Sequence, residues 1–591
     1  MKALFLPEMK YIAESENDTR ANLPNKVKRP APPFFDKYGI ILKKRIMNKR
    51  EFILSLLIAV FSITGNASED KKFELMVQSK NYILQQYNIK DFGAVDSKTE
   101  YSTGAVQAAV DKASVAGGGR VYVPAGTYLI SPIKLRSNVE LYLEEGATLL
   151  GTTDRTKYNI PEEKNYNLAG ERGLIWAEGA SNISIRGKGA IDGQGEAVAE
   201  HTGRLVAEGV ITDRNGSAIK KYVEDGNTKF LREFPRPQEE NRPMLIALYD
   251  CKDVVLDGIH IKNAATWVTT LWRCDNAKLI NLTVRSRAFW NNDGIDIIDC
   301  TNTLVKNCDI DSADDGICLK SHMRDYLCEN ITIENCTVSS SASAIKFGTA
   351  SEGGFRNITV RNITVKDTFR SAVAIESVDG GIAENITISD IRATNTWNAI
   401  FLIAGTRKGT STAKNVTFEN IYCEIPASKP DAVHANYTVP DRKRNLYPSL
   451  ITGSPASDIE NVKIKNFQLV IAGGGTTNIA NSAVSHLPEM DGRYGRYPEY
   501  DMFGELPAWG LLCRNVKGLL LENIKLQLEQ ADYRNPVVMD NISDIMIKKL
   551  EVINEQKTPV ILNNSSAASI KDIKSQANTS GKMYEVYNNE K

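Results

Sequence analysis

Residues 302–338 read NTLVKNCDIDSADDGICLKSHMRDYLCENITIENCTV. The stretch opens and closes on the same phrase, NTLVKNCDI at Asn302 and NITIENCTV at Asn330, an Asn followed by alternating apolar residues and a second Asn. Copies recur outward in both directions: NISI at 182, DVVLDGIHI at 253, NAKLINLTV at 276, NITVRNITV at 357, NITISDIRA at 385, NVTFENIYC at 415 and NVKIKNFQL at 461, with weaker ones at 515 and 541. From 253 onward the spacings are 23, 26, 28, 27, 28 and 30, then 46 where an insertion enters. Alternation with period 2 means strands, and a fixed repeat of this length means a solenoid. The pattern predicts an all-β, right-handed parallel β-helix. Leucine-rich repeats share the period but need a Leu-rich consensus that is missing. The Val/Ile positions point inward and stack coil on coil. The recurring Asn belongs at turns, where its side chain bonds to backbone and the left-handed conformation is tolerated. The Asn-Ile-Thr triplets therefore read as turn residues, although they also fit a glycosylation signal.

Ahead of the repeats, Thr103–Ser114 has helical apolar spacing (Val106, Ala109, Val110, Ala113) and runs into Gly117-Gly118-Gly119. Short strands follow at 120–123, 127–130, 139–143 and 148–150. A helix here suits the cap that a solenoid needs over its open end. The repetitive domain is expected over 87–575, with insertions at 196–245 and 473–513. The second insertion carries Tyr494, Tyr497, Tyr500, Phe503 and Trp509 among Arg493, Arg496 and Glu499, which suits stacking on sugar rings and suits packing on the solenoid equally well. The first carries Arg232, Arg236 and Arg242. Together the two could wall one end of a groove.

The chain of 591 residues is 42% hydrophobic and 24% charged with no net charge, so nothing marks a nucleic-acid surface. Five dispersed histidines and nine cysteines without a C-x-x-C pair exclude the common zinc motifs. The cysteines sit at strand positions and read as small core residues. Residues 47–67, MNKREFILSLLIAVFSITGNA, have the basic, apolar and small-residue parts of a secretory signal. The apolar run is near 14 residues, short of the roughly 20 that span a bilayer. Residues 1–46 lack apolar periodicity and read as an extension upstream of the true start at Met47. The expected product is an exported monomer, periplasmic or secreted, with no nucleic-acid partner and no membrane association after signal cleavage.

Within the repeats lie two acidic clusters: Asn291-Asn292-Asp293 with Asp296, and the doublet Asp314-Asp315. Asp293 and Asp314 are 21 residues apart, almost one coil, so both clusters can project from neighbouring coils onto one face. Such carboxylates can be solvated turn acids, a Ca²⁺ site, or an acid–base set in which repulsion keeps one group protonated. The open faces of a β-helix suit elongated polymers such as polysaccharides.

The run NNDGID with DD 21 residues on resembles the polygalacturonases of glycoside hydrolase family 28. So do FGAV, AVQAAV and GGGRVYVPAGTY in the cap, GAIDGQG at 189–195, and NAATW with LWRC at 263–274. The resemblance spans about 87–530. It implies an inverting hydrolase of pectin-type polymers or oligosaccharides with no cofactor and no metal, in which Asp314 is the general acid and Asp293 with Asp315 activates water. Two motifs depart from it. The family histidine falls near Ser343, and the Arg-x-Lys that holds the substrate carboxylate falls at Ala374 and Glu376. The substrate-binding candidates are then Asn291, Asp296, Lys320, His322, Lys346 and Arg370. A β-helical polysaccharide lyase and a non-catalytic carbohydrate-binding β-helix are the alternatives, and exo action is favoured over endo.

Overall fold

The computed structural model describes residues 85–160, 172–227, 235–428, 430, 447–484, 487–576 and 581–587. The strands form one continuous ladder in which each pairs in parallel with its counterpart one coil on. The result is a right-handed parallel β-helix. Coil-to-coil register follows the repeat: Val305 faces Ile333, Ile333 faces Val360, and Val360 faces Ile388. All four are fully buried, so the alternating apolar positions become columns running along the axis. One core cluster extends from Tyr87 to Leu562.

The repeated Asn has a specific conformational task. Asn330, Asn357, Asn385 and Asn415 have φ between 55° and 57°, and so turn the chain at the same point in successive coils. A left-handed φ disfavours most L-residues, and Asn tolerates it because its short amide bonds locally. Here each amide donates to the preceding coil's Asn: Asn357 to Asn330 at 3.3 Å, Asn385 to Asn357 at 3.2 Å, and Asn415 to Asn385 at 3.0 Å. A second column runs through Asn307, Asn335 and Asn362, which bond in the same manner. The periodic Asn is thus both a corner and a rung.

The helix Thr103–Val115 buries Ala105, Val106, Ala109, Val110 and Ala113 into the first end of this core. Gly117, at φ 90°, follows its last turn. The short strands after it span Gly119–Val123, Gly126–Ile130, Val139–Leu143 and Ala147–Gly151.

The first insertion folds as two helices, Gly195–Ala207 and Gly216–Glu224, and the ladder resumes at Met244. The second contains a helix, Thr477–Val484, and a 3₁₀ segment, Leu487–Arg493. Its aromatic residues divide. Tyr494, Tyr500 and Phe503 are buried with Phe369, Trp397 and Leu450 on the outer face of the sheet, whereas Tyr497 is 57% exposed. Trp509 belongs to the strand Ala508–Leu528 and to the central core, so the insertion ends before it. All nine cysteines are buried free thiols. Residues 1–46, the signal-like stretch 47–67 and Arg232 lie outside the described residues.

Candidate active site

The strand Ile295–Ile298 pairs with Ile317–Ser321, Ile295 opposite Ile317. The coil offset here is 22 residues (317 − 295), so Asp293 stands level with Asp315 (315 − 293 = 22) and not with Asp314. The backbone holds that register just ahead of the strands: Gly294 N donates to Asp315 O at 2.9 Å, and Ile295 N to Gly316 O at 3.0 Å. A carboxylate oxygen of Asp293, one of Asp315 and the Cys318 sulfur all lie within 4.8 Å of one another. Both carboxylates there face lysine ammoniums, and burial raises the Cys318 thiol well above its ordinary value.

Two turns shape the cluster. Asn291 has φ 59° and accepts a bond from Arg242 Nη2 at 2.8 Å. Arg242 is wholly buried and also donates to the carbonyl oxygens of Trp290 (2.7 Å) and Ala265. Asn292 is buried and donates to Ala264 O and Thr266 O, at 3.0 and 2.9 Å. Both amides of the NNDGID run are therefore scaffold residues: they fix the turn that delivers Asp293. Ser312 and Ser340 hydroxyls each donate to Asp314 O at 2.8 Å and fix the doublet's turn.

Charge divides the carboxylates. Asp314 is half-buried, and burial together with Asp293 and Asp315 raises it to about 8, against the pull of Arg370 and Lys346. Its neighbour Asp315 is lowered despite its burial. Lys346, Arg370 and Lys320 stabilise its charge, Lys346 Nζ lies 3.2 Å away, and the backbone N–H of Ser343 donates to it at 3.1 Å. Asp293 and Asp296 share the buried Lys320, at 2.8 Å for Asp293 Oδ2 and in closer contact for Asp296 Oδ1. Burial raises both carboxyls and Lys320 opposes the rise; Asp296 reaches about 6. The Lys320 ammonium also lies 4.4 Å over the Trp267 ring, which gives the Trp of NAATW a place at the site.

The cations expected to meet a sugar carboxylate are placed otherwise. Lys346 and Lys320 are buried and face protein carboxylates. Arg370 is 2.6 Å from Glu499 of the second insertion. His322 stacks on Trp272 at 5.0 Å between centroids, and burial lowers it to about 3, so its imidazole is neutral. Sequence reasoning missed Glu376 as a participant. It lies 3.5 Å from Lys346 and accepts from Thr349 Oγ1 at 2.9 Å. Lys346 stands one coil ahead of Ala374 and Glu376 is two residues beyond, a register that the turns set and the motif alone does not give. Tyr497 also joins, its ring centroid 5.8 Å from the Lys346 ammonium and 5.7 Å from the Arg407 guanidinium carbon.

Residues 116–382, which contain both acidic clusters, match the family model described as Glycosyl hydrolases family 28. A probable polygalacturonase of Vitis vinifera is 25% identical over 377 residues, covering 60% of this chain and 66% of the relative. An exo-poly-alpha-D-galacturonosidase of Dickeya chrysanthemi is 23% identical over 440 residues, covering 68% and 70%. The chain thus spans about two thirds of the length of these relatives. A family 28 exopolygalacturonase of Yersinia enterocolitica shares the fold, with a TM-score of 0.51 at 18% identity over 84% of this chain and 78% of that one.

Proposed function

We propose, from the family 28 match over residues 116–382, that this glycoside hydrolase belongs to that family and cleaves α-glycosidic bonds in pectin-type polysaccharides or oligosaccharides with inversion, working from chain ends. One observation carries the mechanism: adjacent carboxyls, Asp314 and Asp315, are driven to opposite protonation states. Near neutral pH Asp314 holds a proton and is the more accessible of the two, as a general acid must be to reach the leaving oxygen. Asp315 is ionised and takes the proton of the attacking water, while Asp293, level with it and raised by burial, helps to hold that water. Inversion follows if water and leaving group occupy opposite faces of the sugar, which needs acid and base roughly 6.5–9.5 Å apart.

The printed names of the Vitis and Dickeya relatives support galacturonan as the polymer, and the Dickeya name supports exo action. The helical insertion packed beside Trp290 and the aromatic insertion bearing Tyr497 support a groove closed at one end. The signal-like residues 47–67 support export to the periplasm or medium.

The test is a product screen on galacturonan, rhamnogalacturonan and their oligomers, with the anomeric configuration of the first product read by proton NMR. The expected result is new reducing ends of inverted configuration. Retained configuration, or an unsaturated product absorbing in the ultraviolet, would refute the reading.

A further inference from the structure

Lys346 is 2% exposed, in the interior of the strand Ile345–Ser351. A buried ammonium is costly unless carboxylates surround it. Its nearest acceptors are Asp315 Oδ2 at 3.2 Å and Glu376 Oε2 at 3.5 Å, both carboxylates almost fully buried. Glu376 is anchored in turn by the Thr349 hydroxyl at 2.9 Å. Both oxygens of Asp315 are held, Oδ1 by the Ser343 N–H and Oδ2 by Lys346. The chain of contacts is therefore Thr349–Glu376–Lys346–Asp315, with its inner end at the water-activating carboxylate.

We propose that Lys346, fixed from behind by Glu376, is a positioning residue that holds Asp315 in place as the ionised base, and is not a ligand for the substrate's own carboxylate. The inference rests on the reading of Asp315 as base given above. Other charged and titratable groups face this pair as well. Tyr497 and Glu499 of the second insertion act on Lys346, and Arg370, Lys320, Asp314, Asp293 and Cys318 surround Asp315. Lys320 already answers Asp293 and Asp296, and Arg370 answers Glu499, so Lys346 is the cation in direct contact with Asp315. Burial and nearby Glu499 raise Glu376 to about 7, against the pull of Lys346, so the Glu376 side holds less negative charge than the Asp315 side near neutral pH.

The experiment compares kcat/KM against pH for wild type, Lys346→Met, Lys346→Arg and Glu376→Gln, using release of reducing ends from pectic oligosaccharides. In parallel, NMR follows the titration of aspartate carboxyl carbons, with Asp315→Asn identifying the resonance. Loss of an opposite charge at this distance moves a carboxyl by about one pH unit or more. Lys346→Met is therefore expected to move the acid limb and the Asp315 titration upward by that amount, with KM changed less than about threefold. Lys346→Arg restores the limb. Glu376→Gln matches in shape and charge the protonated Glu376 present where Asp315 titrates, so it leaves the Asp315 titration in place. An unmoved Asp315 titration in Lys346→Met, or an effect confined to KM, overturns the proposal. Should Lys346→Met not fold, Lys346→Gln, which keeps a polar group beside Asp315 and removes the charge, decides: an Asp315 titration that stays or falls overturns the proposal. If wild type releases no reducing ends from any pectic substrate, the hydrolase reading fails, while the carboxyl titration still tests the contact.

Discussion

Asp314 and Asp315 are neighbours in sequence and differ in almost every contact. Asp315 has a lysine and a backbone donor; Asp314 faces the other carboxylates. Asp314→Asn should therefore lower kcat by about 100- to 10,000-fold, the usual share of a general acid, with KM near wild type. Reducing-end assays across pH check this, and in wild type the rate should fall as pH rises through about 8, where Asp314 loses its proton. The same variant tests stability. The folded-state value is above that of the unfolded chain, near 3.9, so the folded state binds the extra proton and its advantage is lost as pH rises from about 4 to about 8. Asp314→Asn should match wild type in melting temperature at pH 4 and exceed it at pH 8; equal melting at both values would contradict the assignment. At this scale the sequence reading located the acidic pair through its motif. It missed the 22-residue register and Glu376, because both depend on how turns set one coil against the next.

A coil is legible in sequence because its corner has a chemical requirement. The left-handed corner selects Asn, the strands select alternating Val and Ile, and the two signals recur in phase. Asn357 sits mid-column, donating to Asn330 and accepting from Asn385. Asn357→Ala removes both bonds and places a β-carbon at φ 55° without compensation; Asn357→Gly removes the bonds alone. The alanine variant should be less stable than the glycine variant by about 1–2 kcal/mol, and both less stable than wild type. Denaturation midpoints give the order, and alanine equal to glycine would mean the bonds alone carry the column. The cysteines make a second test. All nine are buried free thiols, most in the central core, so native protein should not react with a thiol reagent, and a reductant should leave its melting temperature unchanged. Insertions were less legible: their residues follow no period, so Trp509 looked like part of an aromatic loop when it is a core strand residue.

For the whole molecule, the question is how a polymer lies along a solenoid whose faces are otherwise open. The first insertion sends its helices Gly195–Ala207 and Gly216–Glu224 against Phe289 and Trp290, immediately before Asn291. Arg236 stacks over Trp290 at 3.8 Å, and Arg242 clamps the Trp290 carbonyl. Also near the carboxylates, Glu499 of the second insertion reaches Arg370 and the Tyr497 ring lies beside Lys346. Both insertions thus wall the neighbourhood of the carboxylates, and neither wall follows from the repeat. Only their composition was visible in sequence, where Arg-rich and Tyr-rich runs interrupt the period. A polymer threading past both walls would be cut internally; a polymer stopped by one would be trimmed from its end. The expected outcome is trimming: from the first time point, galacturonan digestion should release one short product while the mean length of the remaining polymer falls slowly. Trp290→Ala removes the ring on which Arg236 and the first insertion rest, and should broaden the product series toward longer oligomers. Chromatography of timed digests reads both effects, and mixed oligomers from wild type at early times would show that the groove is open at both ends.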